Sequence, residues 1–229
     1  MAMRRREGTV SAAKHEAIRE AATRAFLEKG YAGTSMDEVA ALAEVGKQTV
    51  YKHFSDKRQL FTDIVLATTH QVDGLVRLIA QTLDASDDPR SDLEALAHRF
   101  LTTLMQPQML RLRRLVIANA ADFPELGEAW YELGFERVLS TLTSSFSLLD
   151  ERGVLRVPDP ESAAEHFVGI LLWIPLNKAM FTGNEHAYTE DALRRRADLA
   201  VHAFLDLYRV AEHPLARNNP ATDSTDRPL

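Results

Sequence analysis

Residues 34–61 read TSMDEVAALAEVGKQTVYKHFSDKRQLF, and this run restricts the fold more than any other stretch of the chain. It opens on a helix start, Ser35 followed three residues on by Glu38. That is a capping box: the Ser35 hydroxyl accepts from the Glu38 N–H, and the Glu38 carboxylate reaches back to the Ser35 N–H. Met36, Val39, Ala40 and Ala43 then recur at helical spacing and make one apolar face. Glu44-Val45-Gly46 ends that helix. A second short helix, Lys47 to Phe54, turns Val50 and Phe54 toward a core. Gln48, Thr49, Lys52 and His53 share another face that carries no apolar bulk. Two short helices, a tight turn and a polar, cationic second helix outline a helix-turn-helix.

A polar helix face ordinarily meets only water, so the neighbouring residues decide. Tyr51 and His53 flank Lys52, and Lys57 opens the next helix. These donors suit phosphate oxygens, which fix register, while base edges fix sequence. Gln48 suits adenine N6/N7, Lys52 suits guanine O6/N7, and Thr49 offers a methyl or hydroxyl. The candidate DNA contacts are Thr34, Ser35, Lys47, Gln48, Thr49, Tyr51, Lys52, His53 and Lys57.

A net charge of −6 argues against nucleic acid until it is divided along the chain. Residues 1–60 hold 11 Lys and Arg against 8 Asp and Glu, while residues 61–229 hold 16 against 25. A basic head on an acidic body presents one end to DNA. The 229 residues suffice for a large core without covalent staples. Cysteine is absent, which fits a reducing, cytoplasmic setting and removes disulfides and thiolate metal sites. No apolar run approaches the roughly 18 residues of a membrane span. Arg4-Arg5-Arg6 has no apolar segment behind it, so it does not read as a signal peptide.

From about Ala17 to Phe61, through AATRAFLEKGYAGTSMDEVAALA and GKQTVYKHFSDKRQLF, the chain resembles the TetR family of bacterial transcriptional regulators. Thr49, Tyr51, Phe54 and Lys57 stand where that pattern has its Thr, Tyr, Phe and Lys. The resemblance implies a homodimeric repressor with N-terminal DNA-binding helices and a larger C-terminal domain that binds a small molecule. One departure is local. The family commonly has Gly-Val-Ser in the turn, and this chain has Glu44-Val45-Gly46. Glycine is an acceptable N-cap, so the turn is expected to survive. The stretch LRRLVIANAADFPELGEAWYELGFERVLSTL, from Leu112 to Leu142, more loosely resembles the AefR-like branch of the same family.

The expected architecture is all-α, with about nine helices. A disordered basic arm (1–10) precedes the helix-turn-helix domain (11–55), whose first helix runs from Ser11 to a stop at Gly30. A linking helix with a Ser55 cap covers 56–84. The polar ASDDP segment at 85–89 is the expected boundary. Ligand-binding and dimerisation helices fill 85–211, and a Pro-, Asn- and Asp-rich tail (212–229) is expected to be disordered.

Helical bundles bind ligands between helices, in apolar cavities with few polar groups. The candidate ligand residues are Met105, Met109, Leu112, Asn119, Phe123 and Trp130, with Tyr131, Phe135, Trp173, Asn177, Met180 and Phe181. They imply an apolar or aromatic effector. Any one of the arginines Arg111, Arg113 and Arg114 is a candidate to face a ligand anion. The last two long helices supply the expected dimer surface. Phe167, Leu171 and Ile174 lie on a helix that is apolar most of the way round, which needs cover on both sides. Leu193, Ala197, Val201, Phe204, Leu205 and Tyr208 form a stripe on the next. No catalytic motif, metal-ligand spacing or cofactor-binding signature is present, so the chain reads as no enzyme. The partners expected are operator DNA, a second copy and a small effector, with no membrane. Two readings stand beside the ligand-responsive repressor: a DNA-binding dimer without a ligand, and a helical-bundle small-molecule carrier.

Overall fold

Gly30 interrupts the first helix with φ 73° and ψ 175°, outside what a side-chain-bearing residue readily adopts. In the computed structural model, residues 2–208 are described, with the backbone alone at 2–10 and 68–71. Helix α1 spans Ala2–Gly33 around the Gly30 kink. It takes in residues 2–10, where the sequence suggests an arm; only Gly8 in that stretch opposes a helix. Then come α2 (Met36–Leu42), α3 (Lys47–His53), α4 (Lys57–Leu83), α5 (Pro89–Leu104) and α6 (Pro107–Asn119). Helix α7 (Pro124–Trp130) continues through a π-helical segment, Tyr131–Glu136, into α8 (Arg137–Glu151). Helices α9 (Pro160–Thr182) and α10 (Glu190–Tyr208) complete the described chain. Because α7, the π segment and α8 form one unbroken rod, the described residues make nine rods and no strand. The expected end of the last helix at Ala211 and the tail from 212 to 229 lie outside the described residues.

Helix starts follow local chemistry. Asp88 and Asp159 cap α5 and α9 by accepting from Ser91 and Ser162 N–H, each at 3.2 Å, and a proline follows each cap. The expected Ser55 cap of α4 is displaced by one residue. Asp56 accepts from Gln59 N–H at 2.8 Å, while the Ser55 N–H donates to Gln59 Oε1 at 2.6 Å. That reciprocal pair satisfies two donors, and a Ser55 cap would satisfy one. The Gln59 N–H holds the Asp56 carboxyl below the usual carboxylate range.

Two apolar cores form. The body core joins α5, α8, α9 and α10 around Phe100, Phe146, Phe167 and Phe204, whose rings pack at 5.1 Å (Phe146–Phe204) and 5.3 Å (Phe167–Phe204). The head core gathers Ile18, Phe26, Val39, Val50, Phe54 and Phe61, and is closed by Leu112, Leu115 and Val116 of α6 with Phe123, the N-cap of α7, and Leu126 within it. Tyr31 and Phe123 meet edge to face at 4.7 Å, and Phe123 lies 5.9 Å from Phe61. The Arg58 guanidinium lies 5.0 Å from the Phe123 ring and ion-pairs with Glu125. The 85–89 connection is therefore a turn between helices, and the two cores are not divided there, because α6 and α7 return to the head.

This packing corrects the expected dimer surface. Phe167, Leu171, Leu193, Ala197, Val201, Phe204, Leu205 and Tyr208 are all buried in the chain's own body core. Among the nine expected residues only Ile174 faces outward, at 53% exposure. A helical apolar stripe predicts burial, not what buries it; here α5 and α8 do. The outward apolar residues of α10 are Leu199 (70%) and Leu207 (65%), with Ala203 exposed between them at four-residue spacing.

We expect Phe123→Ala to destabilise the protein by about 3 kcal/mol, as truncation of a buried aromatic does. Urea unfolding should show one shifted transition covering head and body together.

Candidate nucleic-acid interface and body cavity

The turn between α2 and α3 forms despite its sequence. The Val45 N–H donates to the Ala40 carbonyl at 3.1 Å and the Glu44 N–H to the Ala41 carbonyl at 3.2 Å. This is the Schellman closure, with Glu44 in the left-handed position that glycine favours, φ 53°. Holding a glutamate there costs about 1 kcal/mol. Gly46 caps α3 with extended backbone (φ −65°, ψ 144°) and supplies no side-chain acceptor.

The capping box at α2 forms by half. Ser35 Oγ accepts from the Glu38 N–H at 3.2 Å, but the Glu38 carboxylate meets Lys29 Nζ at 2.5 Å instead of returning to Ser35. A charged donor is a stronger partner for a carboxylate than a backbone N–H.

On α3, Val50 and the C-cap residue Phe54 are buried, and Gln48, Tyr51 and Lys52 are exposed. The side chains of these three make no hydrogen bond to any described residue, so the side-chain polar atoms are open to a partner. Thr49 is half-buried beside them. Lys47 is also exposed but pairs with Asp37 at 2.7 Å, which raises its pKa. Three other expected contacts sit in the frame of the head. Thr34 is 3% exposed, and its hydroxyl donates to the Gly30 carbonyl at 2.9 Å, closing the end of α1. Lys57 Nζ donates to the carbonyls of Tyr31 (2.9 Å) and Thr34 (3.0 Å) and lies 4.4 Å from the Tyr31 ring centroid. His53 packs edge to face on His15, with centroids 5.7 Å apart. Burial lowers the His53 pKa, helped by His15, Lys52 and Lys14, so it is neutral at pH 7. These placements were not readable from spacing, since each depends on α1 folding back over the motif.

In the body, Met109, Trp130 and Phe135 line a partly open cavity of about 70 Å³, together with Phe100, Leu104, Gly134 and Arg113. An outer groove of about 480 Å³ takes in Tyr131, Trp173, Asn177 and Met180. Phe135, Arg113, Val168 and Leu172 border both. The remaining ligand candidates are elsewhere. Met105 is in the body core, and Leu112 and Phe123 are in the head core. Asn119 bonds the Leu115 carbonyl one turn back at 2.8 Å and lines neither space. Phe181 stands 87% exposed. Asn177 likewise bonds the Trp173 carbonyl at 2.7 Å. Both amides answer to their own helix, so neither signals a ligand. The π-helical segment carries Gly134 and Phe135 to the cavity wall; such wide turns occur often at functional sites.

Residues 18–64 match the model of bacterial regulatory proteins of the tetR family, and residues 91–210 match that of the AefR-like transcriptional repressor C-terminal domain. A Bacillus subtilis protein described as an uncharacterized HTH-type transcriptional regulator, YhgD, is 31% identical over 163 residues, covering 69% of this chain and 80% of that protein. Among solved structures, a putative TetR-family transcriptional regulator from Mesorhizobium loti is 48% identical, with TM-score 0.81, over 87% of this chain and 98% of that one. The flavonoid-responsive regulator FrrA is 25% identical, with TM-score 0.66, over 87% of this chain and 98% of its own.

Relief of the left-handed glutamate should stabilise the head: we expect Glu44→Gly to gain about 0.5–1 kcal/mol after the added chain entropy of glycine. A rise in thermal midpoint would register it, and an unchanged or lower midpoint would count against strain at Glu44. Histidine 53 sets a pH dependence. Its imidazole takes up a proton less readily when folded than in the unfolded chain, whose value is about 6.5. The unfolded state therefore binds more protons below that pH, and stability falls as pH drops through this range. Thermal midpoints at pH 7.5 and 5.5 should differ less in His53→Asn than in the wild type.

Proposed function

The chain belongs to the TetR family of DNA-binding transcriptional regulators, proteins that are not enzymes, and on that premise we propose that it is a homodimeric repressor released from its operator by a small, largely apolar ligand. The observation that carries this reading is the placement of α6. Its Leu112, Leu115 and Val116 help close the head core, while its Met109 and Arg113 line the body cavity. A ligand that pushes on one face of α6 moves the other face against the head. Helix α4 makes a second link, with Phe61 and Ile64 in the head core and Val72 and Leu75 at the cavity.

On DNA, two copies present α3 to half-sites about 34–36 Å apart or a multiple of that. Gln48 and Lys52 read bases, and Tyr51 holds a phosphate. The exposed Leu199, Ala203 and Leu207 of α10 and Ile174 of α9 supply the apolar surface for the second copy. Ligand binding needs only about 1–3 kcal/mol of preference for the form with mis-spaced heads. The AefR-like repressor model matched by the body supports repression, and the flavonoid-responsive relative supports a ligand. Drug-sized ligands occupy roughly 300 Å³ or more, so the cavity has to open, and Phe135 is the partition between it and the groove. The small size of the cavity favours a second reading, a DNA-binding dimer without a ligand.

The decisive experiment is retention of the chain's own upstream DNA against random competitor at about 0.15 M salt, with affinity falling at a log–log slope near −0.9 per phosphate neutralised. Retention that a panel of apolar aromatics relieves supports the ligand-responsive reading; retention that none relieves supports the second. Absence of salt-dependent, sequence-selective retention from a verified dimer would sink both. We expect Gln48→Ala to relax sequence preference by about 1–3 kcal/mol at one base position, and Tyr51→Phe to weaken all DNA about equally.

A further inference from the structure

Helix α6 carries three arginines within four positions, and their surroundings differ. Arg114 ion-pairs with Glu185 and donates to the Ala179 carbonyl at 3.4 Å. Arg111 approaches the same carboxylate at 3.6 Å. Arg113 borders both the cavity and the groove, and its side chain makes neither an ion pair nor a hydrogen bond with any described residue. Desolvation lowers its pKa from the ordinary arginine value, yet a guanidinium stays protonated in proteins. Every other side chain on the cavity wall is apolar. Glu165 lines the outer groove but forms no ion pair with Arg113. A full positive charge thus stands half-buried where the apolar cavity meets the groove, without a counter-ion among the described residues. Such a charge is costly in a drying environment unless something pairs with it.

We propose that the cavity takes an organic acid, with its apolar or aromatic body against Met109, Trp130 and Phe135 and its anionic group on the Arg113 guanidinium. This deepens the effector-cavity reading above and rests on it. The guanidinium fork matches a carboxylate or sulfonate through two parallel N–H donors. A neutral molecule of the same shape covers that fork without pairing it, and so it binds more weakly. The anion also places its pull on the helix that helps close the head core, so acid binding and head position act on neighbouring residues of α6.

Two fluorescent probes separate charge from shape: 8-anilino-1-naphthalenesulfonate, and N-phenyl-1-naphthylamine, which lacks the sulfonate. The full chain should bind the sulfonate more tightly than the amine by about tenfold or more, the worth of a charge-assisted hydrogen bond. Arg113→Met, an apolar replacement of similar length, should remove that advantage, leave the neutral probe unchanged and raise the thermal midpoint. Gly134→Trp locates the probes. A Cβ at Gly134 meets nothing within 4 Å, so the indole enters the open space and both probes should be lost. Equal affinity for the two probes, unaltered by Arg113→Met while Gly134→Trp still expels both, would overturn the acid proposal and leave the effector cavity standing. Probe binding that survives Gly134→Trp would overturn the cavity reading along with it.

Discussion

The contact on which the structure depends is the closure of the head core by helices that belong to the body. Tyr31, Phe61 and Phe123 meet there as rings, and Leu112, Leu115 and Val116 fill the floor below them. The two helices of the motif, α2 and α3, are too short to hold their apolar faces buried alone. A helix of seven residues, such as α2 or α3, is far below the length at which a helix is stable by itself. Those two helices hold their angle because α1, α4, α6 and α7 hold them. The polar interactions at the joint follow the same logic. Lys57 ties the corner after α1 to the start of α4, and the Arg58–Glu125 pair runs along the rim, where solvent leaves it little net energy.

Much of this was legible in the sequence, for reasons that can be named. The helix-turn-helix is encoded locally: a Ser35 cap, the Val50 and Phe54 pair, and a polar face on Gln48 and Lys52 that no apolar neighbour covers. What was not legible depends on long-range packing. The stripe from Leu193 to Tyr208 announced burial, but only the fold shows that the chain's own helices cover it. Lys57 and Thr34 carry DNA-contacting chemistry in one dimension, and in three dimensions they hold a corner of the head. Arg113 was one of three arginines until Glu185, more than seventy residues away in the chain, engaged the other two.

Charge is distributed to the same end. Among the residues the sequence marked as cationic contacts, Lys47 and Lys57 have partners within the head, and His53 is neutral near pH 7. The exposed face of α3 is left with Lys52 as its one unpaired cation among the described residues of that helix, beside neutral Gln48 and Tyr51. A surface with few free charges gains less from phosphates and relies more on base edges, which favours selectivity over raw affinity.

The π-helical turn has a geometric consequence for the rod that contains it. An α-helix advances by roughly 100° per residue, and a turn with an extra residue winds less for the same count. The segment Tyr131–Glu136 therefore rotates the azimuth of α8 relative to α7. Leu126 on one side belongs to the head core and Val138 on the other to the body core. The rod serves as a phase adapter, letting one continuous backbone present its apolar side to two cores that lie in different directions. Converting that turn to regular α geometry would re-time every side chain downstream of it, so the cavity wall and the alignment of the two cores are properties of a single local winding.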